Sequence, residues 1–294
     1  MLILQKNFHD NNNIKGIFFI ILAALFFSLM SALVKITFKH HDIIEIMFLR
    51  SILAFTILTL LMNVKKVKIE KRYYKFHFLR SLVGLTAMFC TFTALESMPL
   101  SNVTIISFAK IFFIIPLAFL FFQEKININL FLLVLAGFSG VIIIIGFDKT
   151  NSVNYIYYMF ALSGAFCIAL VKILIKKISL HEGSINIQFW FSLFSSIILL
   201  FPYLFLANFP SVISLSLILF ITIFSLLAQF FTIEGLRLST PTIVMPFDFF
   251  RVIFASVIGV IFFLENISIS LLTGSLIIFF SCLKIIQLQK TKKL

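Results

Sequence analysis

Ten stretches of mostly apolar residues follow one another through the chain, joined by loops too short to hold a further domain. They are Ile14–Phe38, Ile43–Asn63, His77–Ser97, Ser101–Phe122, Ile128–Phe147, Tyr155–Ile175, Ile185–Leu206, Val212–Ile233, Thr240–Leu264 and Ile269–Leu288. Each approaches the ~20 residues a helix needs to cross the ~30 Å hydrocarbon core of a bilayer. The longest loop is Val64–Phe76. Apolar residues make up 61% of the chain and charged residues 12%, against about 45–50% and about 25% in a soluble domain. There is too little charge to cover a soluble surface. A soluble enzyme, a DNA-binding module and a disordered chain are excluded. What remains is an all-α integral membrane protein of ten transmembrane helices. The first stretch is long and lacks a small-residue cleavage site, so it reads as a retained helix rather than a signal peptide.

The net charge of +13 then reads as topology. With the N-terminus inside, fifteen Lys and Arg fall on the inner side and two, Lys39 and Lys149, on the outer side. The positive-inside rule places both termini in the cytoplasm. Seven more cations lie within the spans: Lys35, Arg50, Arg80, Lys110, Lys172, Arg251 and Lys284. Cys90, Cys167 and Cys282 sit in apolar runs with no ligand spacing, and read as packing residues.

The chain repeats itself. Ala32-Leu33-Val34-Lys35-Ile36 recurs as Ala169-Leu170-Val171-Lys172-Ile173. Ala94-Leu95-Glu96 with Leu100-Ser101 echoes Thr232-Ile233-Glu234 with Leu238-Ser239. Phe122-Gln123-Glu124-Lys125-Ile126 echoes Phe263-Leu264-Glu265-Asn266-Ile267. The repeat is five helices long, so the halves are residues 1–150 and 151–294. Five is odd, and a second copy must insert upside down. The loops agree: Val64–Phe76 carries six Lys and Arg, while its repeat partner Ala207–Ser211 carries none. Inverted repeats are a transporter signature, with the substrate site near midplane between them.

These residues resemble the EamA branch of the drug/metabolite transporter superfamily. The stretches that carry the resemblance are Leu25 to Lys35, Phe48-Leu49-Arg50-Ser51, Leu79-Arg80-Ser81-Leu82-Val83-Gly84-Leu85, Ala94 to Ser107, and Met245-Pro246-Phe247-Asp248-Phe249-Phe250-Arg251 running on to Glu265. The resemblance implies two inverted five-helix repeats. Helices one to four and six to nine would surround a cavity, with five and ten outside. It also implies transport of small metabolites such as amino acids, S-adenosylmethionine, nucleotide sugars or drugs. The stretch around Asp248 looks closest to members that include S-adenosylmethionine uptake carriers. Many relatives have an acidic residue where Ser31 stands and Pro where Lys110 follows Ser107-Phe108-Ala109, so the charge of the implied cavity differs here.

An ionisable group at midplane costs about 2.5–3.5 kcal/mol on insertion scales, so each needs a reason. Lys110 lies about 13 Å into its span, and Asp248 is its repeat equivalent. They form a substrate site, with Ser31 and Ser107 near it, or else a structural ion pair. Arg50 and Arg251 are too deep to snorkel easily, and an Arg fork suits a carboxylate or phosphate. Arg251 could instead pair with Asp248 three residues before it. Lys35 and Lys172 sit near helix ends and read as snorkelling or gating residues. Arg80 reads as a head-group anchor. Glu96 and Glu234 read as solvated or capping groups, and Glu124 and Glu265 as turn-stabilising ones. Pro116 and Pro246 fall inside spans four and nine, where they interrupt the helix.

Gly137-Phe138-Ser139-Gly140 matches an intramembrane serine protease signature, but all five His residues lie in tails, loops or span ends, leaving no base. Nothing in the sequence calls for a metal, a cofactor or a nucleic acid. The reading is a secondary transporter of an amino acid or a derivative such as S-adenosylmethionine, working by alternating access, coupled to protons or to an exchange substrate. It is a monomer or homodimer in the lipid bilayer. An integral membrane enzyme or lipid-processing protein is the alternative, and a channel the third choice.

Overall fold

The computed structural model describes residues 2–38, 40–70, 72–122, 128–147, 154–206, 212–266 and 268–291. Among the features singled out above, Lys39, Glu124, Lys149 and the 207–211 loop lie outside the described residues, as does the side chain of Cys282.

Regular structure among the described residues is helical throughout. The helices are α1 (Leu2–Thr37), α2 (Ile43–Lys65), α3 (Tyr74–Ser97), α4 (Leu100–Ser107), α5 (Lys110–Phe122), α6 (Ile128–Phe147), α7 (Tyr155–Ser179), α8 (Ser184–Leu206), α9 (Val212–Leu238), α10 (Pro241–Val244), α11 (Phe250–Phe263) and α12 (Ile269–Thr291), with a 3-10 stretch, Met245–Phe249, between α10 and α11. Among the described residues, eight spans are long and apolar enough to cross a membrane; two further apolar helices, Phe131–Ile144 and Ile269–Ser281, are shorter. The protein is a multi-pass membrane protein. Its outer faces carry large apolar groups such as Phe201 and Phe205, which suit hydrocarbon and would suit water poorly.

The main packing pairs join the two halves of the chain: α1 with α9, α3 with α7, α2 with α8 and α6 with α12. The Leu100–Phe121 span lies at the centre, with 78% of its apolar window buried against 33–56% for the other seven. At the rim, α6 and α12 approach closely enough that a Cβ on Gly140 would stand 2.8 Å from the Gly274 carbonyl oxygen. Small residues at such crossings let helix backbones meet. This accounts for the Gly137-Phe138-Ser139-Gly140 motif. Ser139 is exposed and donates to the Ala136 carbonyl of its own helix, 2.7 Å away, in no catalytic arrangement.

The central span is broken, though not where the sequence suggested. Pro116 stays inside the continuous helix α5, on an exposed face. A proline ring obstructs only the turn before it, and that turn can bend without parting. The break falls at Phe108–Ala109. There the Phe108 N–H is shared between the Thr104 and Ile105 carbonyls, and Ala109 N–H donates to Ile106 O at 2.9 Å. These are the tighter i to i−3 bonds of a 3-10 turn. In the Met245–Phe263 span Pro246 does coincide with the irregularity, sitting second in the 3-10 stretch. It has no N–H to give. Irregular backbone at membrane depth persists only when buried in protein or beside a cavity. The two tight turns meet here, with Phe108 edge-on to Phe249 at 5.2 Å between ring centroids.

Candidate functional site

The two breaks place a cation and an anion side by side. Lys110 is the first residue of α5, and Asp248 lies in the 3-10 stretch. Both are buried, and their side chains form an ion pair. The pair sits on the wall of a cavity enclosed between both halves of the chain. Lining residues come from α1, α2, α3, α5, α7, α8, α9, the 3-10 stretch and α11, with none from α6 or α12.

Four more cations line the cavity: Arg50, Arg80, Lys172 and Arg251. Aromatic faces and neutral groups hold them. Arg80 donates from Nη2 to Gln229 Oε1 at 2.8 Å, and its guanidinium lies 4.1 Å over the Phe191 ring. Arg251 donates from Nη2 to Ser31 Oγ at 3.3 Å and lies 4.9 Å over Phe27. Lys172 Nζ stands over the same Phe27 ring at 5.5 Å. Arg50 makes a 3.5 Å contact from Nη1 to the Met30 sulfur. The electron-rich face of an aromatic ring attracts a desolvated cation but does not cancel its charge.

Several expectations change here. Arg80 is not a head-group anchor: it is buried at the cavity. Its depth along α3 and the facing Gln229 and Phe191 decide that, and both partners belong to other helices. Lys172 does not snorkel. It turns into the cavity, where its Nζ stands over the Phe27 ring of α1. Arg251 makes no ion pair with Asp248. Lys110 takes the Asp248 carboxylate, and Ser31 takes the guanidinium instead. Ser31 therefore orients Arg251. Ser107 is buried with an unpartnered hydroxyl and is not part of the cavity lining. Gln229 had no sequence signal, since an amide inside an apolar run announces nothing about what faces it.

Lys35 also does not snorkel. Its Nζ donates to Glu265 Oε1 at 2.8 Å and to the Met98 carbonyl at 3.0 Å. The Glu265 carboxylate also accepts the Leu100 N–H at 2.6 Å, the Ser101 N–H at 3.2 Å and the Ser101 hydroxyl at 2.8 Å. It thus caps the N-terminus of α4, where unpaired N–H groups and the helix dipole favour an anion. Leu264, at φ 51°, ends α11 in the left-handed region and turns the chain so that Glu265 points back. Burial pushes the Glu265 carboxyl up, but the bonds from Lys35, Leu100 and Ser101 outweigh it and hold it below its ordinary value. Glu265 ties together three elements, α1, α4 and α11, rather than one turn. Glu96 is exposed, as expected. Glu234 accepts from the Ser184 hydroxyl.

A second buried network lies at the start of α3. His77 Nε2 is 2.8 Å from Glu182 Oε2, and both side chains are fully buried. Asn186 donates to the same carboxylate. Trp190 Nε1 donates to the Glu70 carbonyl at 2.8 Å, fastening the loop before α3 to α8. Burial raises the Glu182 carboxyl, against the Asn186 hydrogen bond. The sequence places His77 at a span end and gives no sign of this network.

Membrane-length helices around a polar, cation-lined cavity define a membrane transporter of small molecules. The model of the EamA-like transporter family matches residues 14–146 and again 155–287, and the chain belongs to that family. It is a transporter, not an enzyme. Two of its relatives bear on this. The pseudopaline exporter CntI of Pseudomonas aeruginosa is 26% identical over 281 residues, spanning 95% of this chain and 97% of the relative. An uncharacterized transporter of Helicobacter pylori is 30% identical over 160 residues, 53% of each chain. A solved crystal structure superposes with a TM-score of 0.70 over 96% of this chain and 98% of the other, at 12% identity; that likeness shows the fold.

Proposed function

We propose that this protein is a secondary transporter that exports an amino-acid-derived metabolite across the bacterial inner membrane by alternating access. The observation that carries the reading is the Lys110–Asp248 pair, buried where two broken spans meet on the wall of one cavity. Such a pair costs desolvation that a purely apolar contact avoids, so its presence at midplane argues for use. Substrate, or a proton, opens the pair.

The reading includes ten spans in two inverted repeats, with both termini cytoplasmic. The packing pairs support it. Exchanging the halves maps α1 with α9 onto α7 with α3, and returns α2 with α8 and α6 with α12 to themselves. Two successive matches to one family model lie in the same halves. A relative named as an exporter over the full length favours export. S-adenosylmethionine suits the cavity less well than the sequence resemblance implied, because its sulfonium and ammonium groups would face mostly cations.

The test is counterflow in liposomes holding the purified protein. Labelled S-adenosylmethionine runs beside labelled glutamate and N-carboxyalkyl amino acids, with and without a pH gradient. Saturable movement of an amino-acid derivative, lost in Lys110→Ala and in Asp248→Ala, is expected. Wild-type rates in both variants would overturn the assignment of the site.

A further inference from the structure

We infer that the central cavity is a receptor for a small organic molecule carrying two or more anionic groups, the body apolar and the anionic groups spread over more than one wall. This rests on the transporter reading for the role of that molecule as cargo, but the binding site stands on its own geometry.

The argument is a charge count tied to position. Five cations and one carboxylate line the cavity among the described residues. Lys110 uses the carboxylate, Asp248. Four cations remain with no carboxylate partner: Arg50, Arg80, Lys172 and Arg251. Their neighbours are a thioether, an amide, a hydroxyl and two phenyl rings. None of these supplies negative charge. Each of the four is at most 9% exposed. Buried charges are normally paired, because burial without a counter-charge leaves most of the desolvation cost standing.

The donors are also left with bonds to make. Arg80 Nε and Nη1 and Arg251 Nε are buried without acceptors. A guanidinium carries five N–H donors in a planar fork that matches a carboxylate or phosphate edge. Open donors on α3 and α11, and further charges on α2 and α7, surround one space. A single carboxylate offers one negative charge and two oxygens to four cations on four helices. Two or three such groups match them better, and the Met30, Met88 and Phe92 side chains between them suit a hydrocarbon frame. A singly charged zwitterion brings its own ammonium among these cations and gains little.

The inference gives Arg50, Lys172 and Arg251 a shared task that no single one performs. They select for the number of negative groups. Ser31 serves them by fixing the Arg251 guanidinium, as the 3.3 Å contact shows. An acidic residue at position 31 would neutralise Arg251 and lower that selectivity.

The test is ligand-dependent thermal unfolding of the purified full chain in detergent. The probes are tricarballylate, succinate, butyrate, the neutral triamide of tricarballylate, and 2,3-bisphosphoglycerate. Stabilisation should rise with the number of carboxylates, with tricarballylate binding at least tenfold more tightly than butyrate and the triamide giving no shift. The bisphosphate arm separates carboxylate from phosphate as the preferred anionic group; tight binding by either source upholds the site. Arg50→Gln and Lys172→Gln should each weaken tricarballylate about tenfold, the loss of roughly one charged hydrogen bond. Both should melt, without ligand, no lower than wild type, because an unpaired buried charge has been removed. The conservative Arg50→Lys keeps part of the affinity. Equal shifts with the triamide or butyrate, or unchanged affinity in both Gln variants, would overturn the inference. Binding in this order without movement in liposomes would keep the site and remove the transport reading. Movement that ignores anionic groups would do the reverse.

Discussion

Lys110 and Asp248 stand 138 residues apart in the chain and meet as a buried ion pair where two tight turns interrupt two membrane spans. The separation matches the offset of the internal sequence repeats. In the proposed two-repeat layout the pair joins corresponding places in the two halves, and it carries the first prediction. Removing either partner leaves a lone buried charge, which costs about 3–5 kcal/mol. Lys110→Ala and Asp248→Ala should each melt well below wild type and transport nothing. The double variant Lys110→Ala/Asp248→Ala should regain most of the stability and none of the transport. Melting curves and counterflow on the same preparations check this. Transport by the double variant would reduce the pair to a structural contact.

The second prediction concerns Glu265. Its folded carboxyl lies below its ordinary value of 4.5. A depressed carboxylate contributes stability that is fully present above the ordinary value and is lost as pH falls through the lower folded value. Wild type should therefore lose melting temperature on acidification toward pH 4. Glu265→Gln should start lower at pH 7, by about 1.5–3 kcal/mol for a charged hydrogen bond lost, and fall less steeply with pH. Gly259→Ala should move in the same direction, because a Cβ there would stand 2.5 Å from Glu265 Oε2 and push it from the α4 N-terminus. Parallel pH profiles for wild type and Glu265→Gln would show that another group sets the acid sensitivity.

Much of this molecule was legible in its residue pattern, and the limits are physical. Apolar runs of spanning length announce membrane helices, because lipid imposes one length on every span. Lys110 and Asp248 stood out because midplane charge is rare. The orientation of the other cations was not legible. Lys35, Arg80 and Lys172 sit at depths that allow either snorkelling or inward rotation, and only the facing helix decides. Glu265 for Lys35, Gln229 and Phe191 for Arg80, and Phe27 for Lys172 supply the partners, and all are distant in sequence. The break at Phe108–Ala109 was hidden because no proline or glycine marks it. The turn there is imposed by the packing of Phe108 against Phe249 and by Lys110 reaching Asp248, neither of which is local.

A third prediction tests orientation. Lys65, Lys66, Lys68, Arg72 and Lys75 cluster in or beside the loop between α2 and α3, which the positive-inside rule predicts to be cytoplasmic. A green fluorescent protein fused after Leu294 should fluoresce, and an alkaline phosphatase fusion at the same place should be inactive. A cysteine placed at Gly183, between α7 and α8, should be shielded from impermeant thiol reagents in intact cells. The reverse pattern would place the basic loop outside and invert the direction of transport.

The last prediction separates scaffold from site. Gly140 and Gly274 meet where α6 crosses α12, and a Cβ on Gly274 would stand 2.6 Å from the Gly140 carbonyl oxygen. It would also stand 2.4 Å from Ile144 Cγ1, so a side chain and a backbone carbonyl must both give way. Gly274→Ala should force the two helices apart and cost about 1–3 kcal/mol, as overpacking does. Neither helix lines the cavity, so the ligand that stabilises wild type should stabilise this variant by the same increment, with unchanged affinity. Melting curves of Gly274→Ala across a tricarballylate titration provide the check. A lower melting point with unchanged affinity assigns α6 and α12 to the scaffold. A loss of affinity comparable to Arg50→Gln would mean that their spacing is transmitted to the cavity walls, and that the paired outer helices help set its shape.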